Sequence, residues 1–238
     1  MNDIEPQKTS FTIKILVEIT IVFLTILSIK RLADYFEVIG AGSIAIWCGI
    51  IVCAIFMKQK KIKWKRFGLK IPKGTKNWSI NILIALGTVI LVFSIMGLIV
   101  KPILESFGLT NPVGAADRFA FFMGKPLVFI GYLITVVWFG AALGEELLFR
   151  GYLLNRLVDC TGNTTLGIII ALIIHAGIFG MLHIYQGLAG VIATGCIALI
   201  LGSVYFIIRR KLFPIIIAHG IINSLSLIGL YLNDGVIG

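Results

Sequence analysis

The sequence predicts an all-α fold: a polytopic transmembrane helical bundle of about seven spans, eight if one segment is split or interfacial. Three observations predict it. Of 238 residues, 58% are hydrophobic and 13% charged, against roughly half and a quarter in soluble domains. The apolar residues gather in seven runs, each near the ~20 residues a spanning helix needs. The formal charge of +10 is concentrated in one loop. A disordered chain is excluded, because it would be poor in hydrophobic residues. No Ser/Gly-rich linker and no repeat of fixed period divides the chain, so residues 1–238 read as a single integral-membrane domain.

The runs lie at approximately 13–30, 36–57, 78–100, 126–147, 165–184, 188–208 and 212–232. The first is the weakest, interrupted by Lys14 and Glu18. The tail before it, MNDIEPQKTS, is polar and lacks the basic start and small-residue cleavage site of a signal peptide. The first run is therefore expected to be retained as a span. Segment 101–125 is mixed. Asn111-Pro112 and Gly114 signal a turn. Asp117 to Met123 reads as a short interfacial helix with Phe119, Phe121 and Phe122 toward lipid.

The loop KQKKIKWKRFGLKIPKGTK, between the second and third runs, carries nine cations and no acid. With that loop in the cytoplasm and alternating spans, sixteen Lys and Arg fall inside, Arg150 and Arg156 among them. Lys30, Arg31, Lys101, Arg118 and Lys125 make five outside. The positive-inside rule thus predicts a multi-pass protein of the cell membrane, N-terminus cytoplasmic and C-terminus outside. The basic loop can also meet anionic lipid head groups. Nucleic acid is not expected as a partner, because no nucleic-acid-binding motif accompanies the charge. Cys48, Cys53, Cys160 and Cys196 form no CxxC pair and read as small apolar packing residues.

A charged side chain inside a span costs about 2.5–3.5 kcal/mol on insertion scales, so such residues are functional candidates. The inventory is Glu18 in the first run, Glu145, Glu146 and Arg150 at the end of the fourth, His175 and His183 in the fifth, and His219 with Asn223 in the seventh. Glu146 and Arg150 stand at i, i+4 and can pair on one helix face. Glu145 is turned about 100° from Glu146 in an α-helix, toward a different neighbour, which suits it as a general base. The pair can equally be a structural salt bridge between helices. Gly140 and Gly144 form a GxxxG that permits close helix approach. Phe179 and His183, and His219 and Asn223, are each i, i+4 pairs. An imidazole can hold a water or a metal, and an imidazole with a carboxamide can donate to an oxyanion. His175 has no evident partner, Glu18 sits near the interface or pairs with Lys14 at i−4, and neither is given a function.

These residues resemble a known family. Glu145-Glu146-Leu-Leu-Phe-Arg150 is similar to its EExxxR motif, Phe179-Gly-Met-Leu-His183 to its FxxxH motif, and His219-Gly-Ile-Ile-Asn223 to its HxxxN motif. The family is the CPBP group of intramembrane proteases, named for CAAX proteases and bacteriocin-processing enzymes and also called abortive-infection-like. It includes the type II CAAX prenyl endopeptidase. The motifs occur in family order over roughly residues 126–230, and the first half of the chain carries none.

The resemblance implies hydrolysis of a peptide bond of a peptide or membrane-associated protein. Glu145 would activate the water and His183 would help hold it. His219 and Asn223 would stabilise the oxyanion, with Glu146 and Arg150 in support. It leaves open a zinc ion on Glu145, His183 and His219 or a metal-free mechanism. Other readings are a non-catalytic immunity or scaffold protein and a proton-coupled transporter; the absence of inverted repeats counts against the latter. One difficulty attends the catalytic reading. Simple alternating spans put Glu145 near one membrane face and His183 near the other. Either the fourth helix must run on through LLFRGYLLNRL, or Gly177 and Gly180 must break the fifth.

Overall fold

The computed structural model describes residues 4–110, 112 and 114–233. Residues 1–3 of the polar tail, Asn111 of the expected turn and the C-terminal residues 234–238 lie outside the described residues. The described chain is helical, without a strand. Its main helices are α1 (Ile4–Tyr35), α2 (Ala41–Gln59), α3 (Thr75–Ser106), α4 (Pro126–Thr161), α5 (Thr165–Met181), α6 (Gly187–Ile207) and α7 (Leu212–Leu232). Six are long and apolar enough to cross a membrane, and α5 is a shorter apolar helix of 17 residues. Leu24, Leu83, Ile90 and Leu98 are among many large apolar side chains left on the outer surface. Such a surface is stable only in lipid. The chain is a multi-pass membrane protein.

Helices α1 and α3 run beyond their predicted bounds, but the departures that shape the site are those of α4 and α5. Pro126 occupies the first turn of α4, where its missing N–H costs nothing. The helix then continues to Thr161 for 36 residues, well beyond the predicted 147, so Glu145 falls near its midpoint. Over Leu133–Leu153 it is wound more widely, in π-helical i→i+5 bonding. Helix α5 is short for a local reason. Thr164 caps its start by accepting from the N–H of Gly167 at 3.1 Å. The chain then turns after Met181 into a 3-10 turn, Ile184–Gln186. Of the two routes to a shared depth, the structure takes the longer α4. Helix α5 is not broken at Gly177 or Gly180, and His183 lies just past its end.

A polar framework ties one end of the bundle together. Phe67, from the nine-cation loop, is buried, and its carbonyl accepts from Tyr205 at 2.9 Å. The next carbonyl, Gly68, accepts from the N–H of Leu212 at 3.1 Å. Asn155 donates to the Tyr205 hydroxyl at 2.9 Å and accepts from Arg210 at 3.0 Å. Glu18, expected near the interface or paired with Lys14, pairs with Lys60 and with Arg156, the latter at 3.2 Å. These partners are distant in sequence, so no local pattern shows them. The basic loop, the end of α4 and the α6–α7 turn therefore share one end of the bundle. Arg150, counted with the loop after the fourth span, is instead buried within α4.

The opposite end carries a second correction. Asp117–Phe122 is a 3-10 turn whose aromatic rings turn inward. Phe122 is fully buried against Phe129 and Tyr132, at centroid distances of 5.3 Å. Phe119 and Phe121 pack on Tyr132. Ring–ring contacts with α4 and α7 compete successfully with lipid for these side chains.

Helices α5 and α6 approach closely at Gly180. A Cβ there would lie 2.5 Å from the Val191 carbonyl oxygen, a backbone atom that cannot yield. A Cβ at Gly177 would meet nothing within 4 Å. Gly180→Ala is expected to lower stability by about 1–3 kcal/mol through overpacking, whereas Gly177→Ala leaves it unchanged or raises it. Thermal unfolding of both variants in detergent measures the contrast.

Candidate active site

The three motifs converge on one cavity of about 930 Å³ lined by Glu145, Arg150, Phe179, His183, His219 and Asn223 among others. Such a volume is at the upper end of ligand pockets. The wide winding of α4 presents Glu145, Glu146 and Arg150. The last turn of α5 and the residue past it supply Phe179 and His183. The middle of α7 supplies His219 and Asn223.

Glu146 is at the centre. It and Arg150 are both fully buried, and its Oε1 accepts from Arg150 Nη1 at 2.8 Å. The same oxygen accepts from His219 Nδ1 at 2.7 Å. That bond turns the imidazole so that Nε2 points to Glu145, whose Oε2 is 4.0 Å away. The two glutamates therefore do not face different neighbours. They address the two nitrogens of one histidine. The wider winding narrows the angle between successive residues below the ~100° of an α-helix, which lets both carboxyls meet α7.

Phe179 explains why an aromatic residue belongs four positions before the histidine. Its ring lies 5.0 Å from the Arg150 guanidinium carbon, within cation–π range. It also packs edge-on against Phe149 at 4.8 Å. At the end of α5 its carbonyl belongs to the last turn, which has no following helical N–H. His183 Nδ1 donates to that carbonyl at 2.9 Å, with the two rings 4.8 Å apart. The histidine thus caps its own helix, and the cap leaves Nε2 as an acceptor.

Sequence reasoning missed two supports. Gly220, inside HGIIN, lets the Trp138 ring of α4 lie against α7; a Cβ would stand 2.7 Å from it. A small residue beside a motif histidine was the available signal. Arg118, from the α3–α4 connection, stacks on Tyr185 at 5.0 Å, and Tyr185 packs beside His183 at 5.8 Å. Gly140 and Gly144 serve packing, facing Ser43 and Ile46 of α2. His175 is buried beside Phe149, outside the cavity lining.

Among the described residues, no three His, Cys, Asp or Glu side chains stand together as a metal-ligand set. Nδ1 of His183 and Nδ1 of His219 are both engaged, which leaves each Nε2 free. These nitrogens and the Glu145 carboxylate can hold a small oxygen species. The 4.0 Å between Glu145 and His219 is too long for a hydrogen bond, and one water oxygen can bridge it.

Residues 127–225 match the model of the family described as Type II CAAX prenyl endopeptidase Rce1-like. The match starts in the first turn of α4 and ends just past Asn223, so it takes in all three motifs. The resemblance read from EExxxR, FxxxH and HxxxN is borne out over this stretch. No curated protein and no solved structure matches the chain.

Removing Arg150 strands a buried carboxylate beside Phe179. Arg150→Ala is expected to cost about 3–5 kcal/mol, the range for breaking a buried pair from one side. Arg150→Lys recovers part of it, since it restores the charge and not the planar stacking. Denaturant unfolding in mixed micelles measures both.

Proposed function

We propose that this chain is an intramembrane endopeptidase that hydrolyses a peptide bond of a peptide or membrane-associated protein. The observation that supports it best is the Glu146 clamp. It fixes His219 so that its free nitrogen and the Glu145 carboxylate stand 4.0 Å apart on the cavity lining, where one water can bridge them.

In this reading Glu145 takes a proton from the bridging water, and the oxygen adds to the substrate carbonyl carbon. In this step His219 Nε2 is protonated and donates to the water oxygen, with the Glu146 carboxylate balancing the charge, and His183 Nε2 accepts the second hydrogen of that water and holds it in line. Asn223, one turn beyond His219, donates its amide N–H to the developing oxyanion, joined there by the His219 Nε2–H once the oxygen has added. Glu145 then returns the proton to the leaving nitrogen as the C–N bond breaks. Arg150 Nε and Nη2, buried without a hydrogen-bond partner among the described residues, are further donors at the floor. The nine-cation loop supports a cytoplasmic N-terminus on the positive-inside rule.

The test is purified protein in liposomes supplied with a pool of synthetic peptides, with cleavage read by mass spectrometry. Glu145→Gln should abolish turnover while preserving the fold. Asn223→Ala should lower kcat by roughly 10²–10³, the usual cost of one oxyanion donor. A chelator should leave the rate unchanged. A rate lost to chelator and restored by zinc would replace the direct glutamate–water route. A cellular effect that survives Glu145→Gln would favour a scaffold over a protease.

A further inference from the structure

The cavity lining reaches Asp34 at the end of α1, Arg118, Gln186 and Asn233 at one end of the bundle and includes no residue of the basic loop at the other. These belong to the connections and ends opposite the nine-cation loop. The α1–α2 turn, the α3–α4 connection and the α5–α6 turn all lie there, as does the residue after α7. Toward the basic loop the floor is solid. Below Arg150, the side chains of Leu153, Leu154 and Leu212 are fully excluded from solvent. The bonded chain Asn155–Tyr205–Phe67 closes the rest. The upper wall is mainly apolar, with Val38, Ile39, Phe119 and Phe121, while Thr194 and Ser226 lie on the lining of α6 and α7.

We propose that the site takes its substrate from the membrane face opposite the nine-cation loop, so that the chain cuts an apolar peptide segment presented on the outer side. The proposal rests on the proteolytic reading and on the cytoplasmic placement of the basic loop. An apolar segment fits because the walls above the floor offer few polar groups. The outer side follows because a bundle whose basic end is cytoplasmic has its cavity lining reaching toward the other face. A lipidated protein tail held at the cytoplasmic face would meet the packed floor.

The test separates access from chemistry. Thr194→Cys and Ser226→Cys replace hydroxyls that bond only within their own helices. Lys73→Cys marks the basic loop. Intact and permeabilised cells are treated with a membrane-impermeant maleimide, with the unsubstituted protein giving the background of its own cysteines. Both cavity variants should label equally in the two preparations, and Lys73→Cys only after permeabilisation. In parallel, synthetic peptides with an apolar middle and charged ends are offered to both preparations, with Glu145→Gln as control. Cleavage should depend on Glu145 and should not rise on permeabilisation. Cavity cysteines that label only after permeabilisation overturn the proposal, as does labelling of Lys73→Cys in intact cells. Cleavage confined to permeabilised cells overturns it while preserving the protease. Outside labelling with no cleavage in either preparation overturns the proteolytic reading, and the proposed substrate with it.

Discussion

The Glu146 carboxylate, buried between Arg150 and His219, is the constraint on which the rest of the structure depends. A charge in the middle of a membrane bundle is costly unless it is paired and hydrogen-bonded. Glu146 meets that demand with one partner from its own helix and one from α7. Arg150 in turn needs a surface for its guanidinium, and Phe179 supplies it from α5. Three helices are therefore fixed at one point by a single oxygen and the group it holds. Glu145, His183 and Asn223 inherit their positions from that point. The salt bridge and the catalytic arrangement, which compete as readings of the sequence, are two parts of one structure.

The motif trio was legible because each motif is local. An i, i+4 pair shows its shared face from spacing alone. The seven apolar runs were legible for the same reason, and the start of α5 agrees with its Thr164 cap. The run of α4 past residue 147 was not legible from hydropathy, only as one of two ways to bring Glu145 and His183 together. Hydropathy ends the span before Arg150, whereas Glu18 and Lys60, far away in sequence, make the end at Arg156 and Asp159 a paired polar junction. FGMLH reads as the end of the fifth span; that its histidine sits past the last turn and caps it was hidden. Phe119, Phe121 and Phe122 look suited to lipid, and only the tertiary fold provides the rings that draw them inward.

Polar residues in this bundle divide between two ends with different tasks. At the basic end, Asn155, Tyr205, Arg210, Glu18 and Arg156 satisfy one another and the neighbouring carbonyls. Closed networks of this kind stiffen a fold and leave nothing exposed for chemistry. Deeper in the cavity the pattern is reversed. His183 and His219 each spend one nitrogen on a fixed partner and keep the other for the lumen. A rigid base beneath half-satisfied groups is the requirement for a preorganised site.

The wide winding of α4 links these levels. In an α-helix, adjacent side chains diverge by about 100°, and a carboxylate that bonds His219 would send its neighbour away from the same ring. Winding in i→i+5 bonding is rare and is found mostly where function requires it. Here it spans both glutamates and Arg150. It brings Glu145 to the far nitrogen of a histidine whose near nitrogen is held by Glu146. Adjacent acids thus take unlike roles because the helix is widened and the imidazole has two ends. One carboxylate is held through a single oxygen by two partners and is structural. The other is left 4.0 Å from its histidine, too far to bond it directly and close enough for one water to bridge the two.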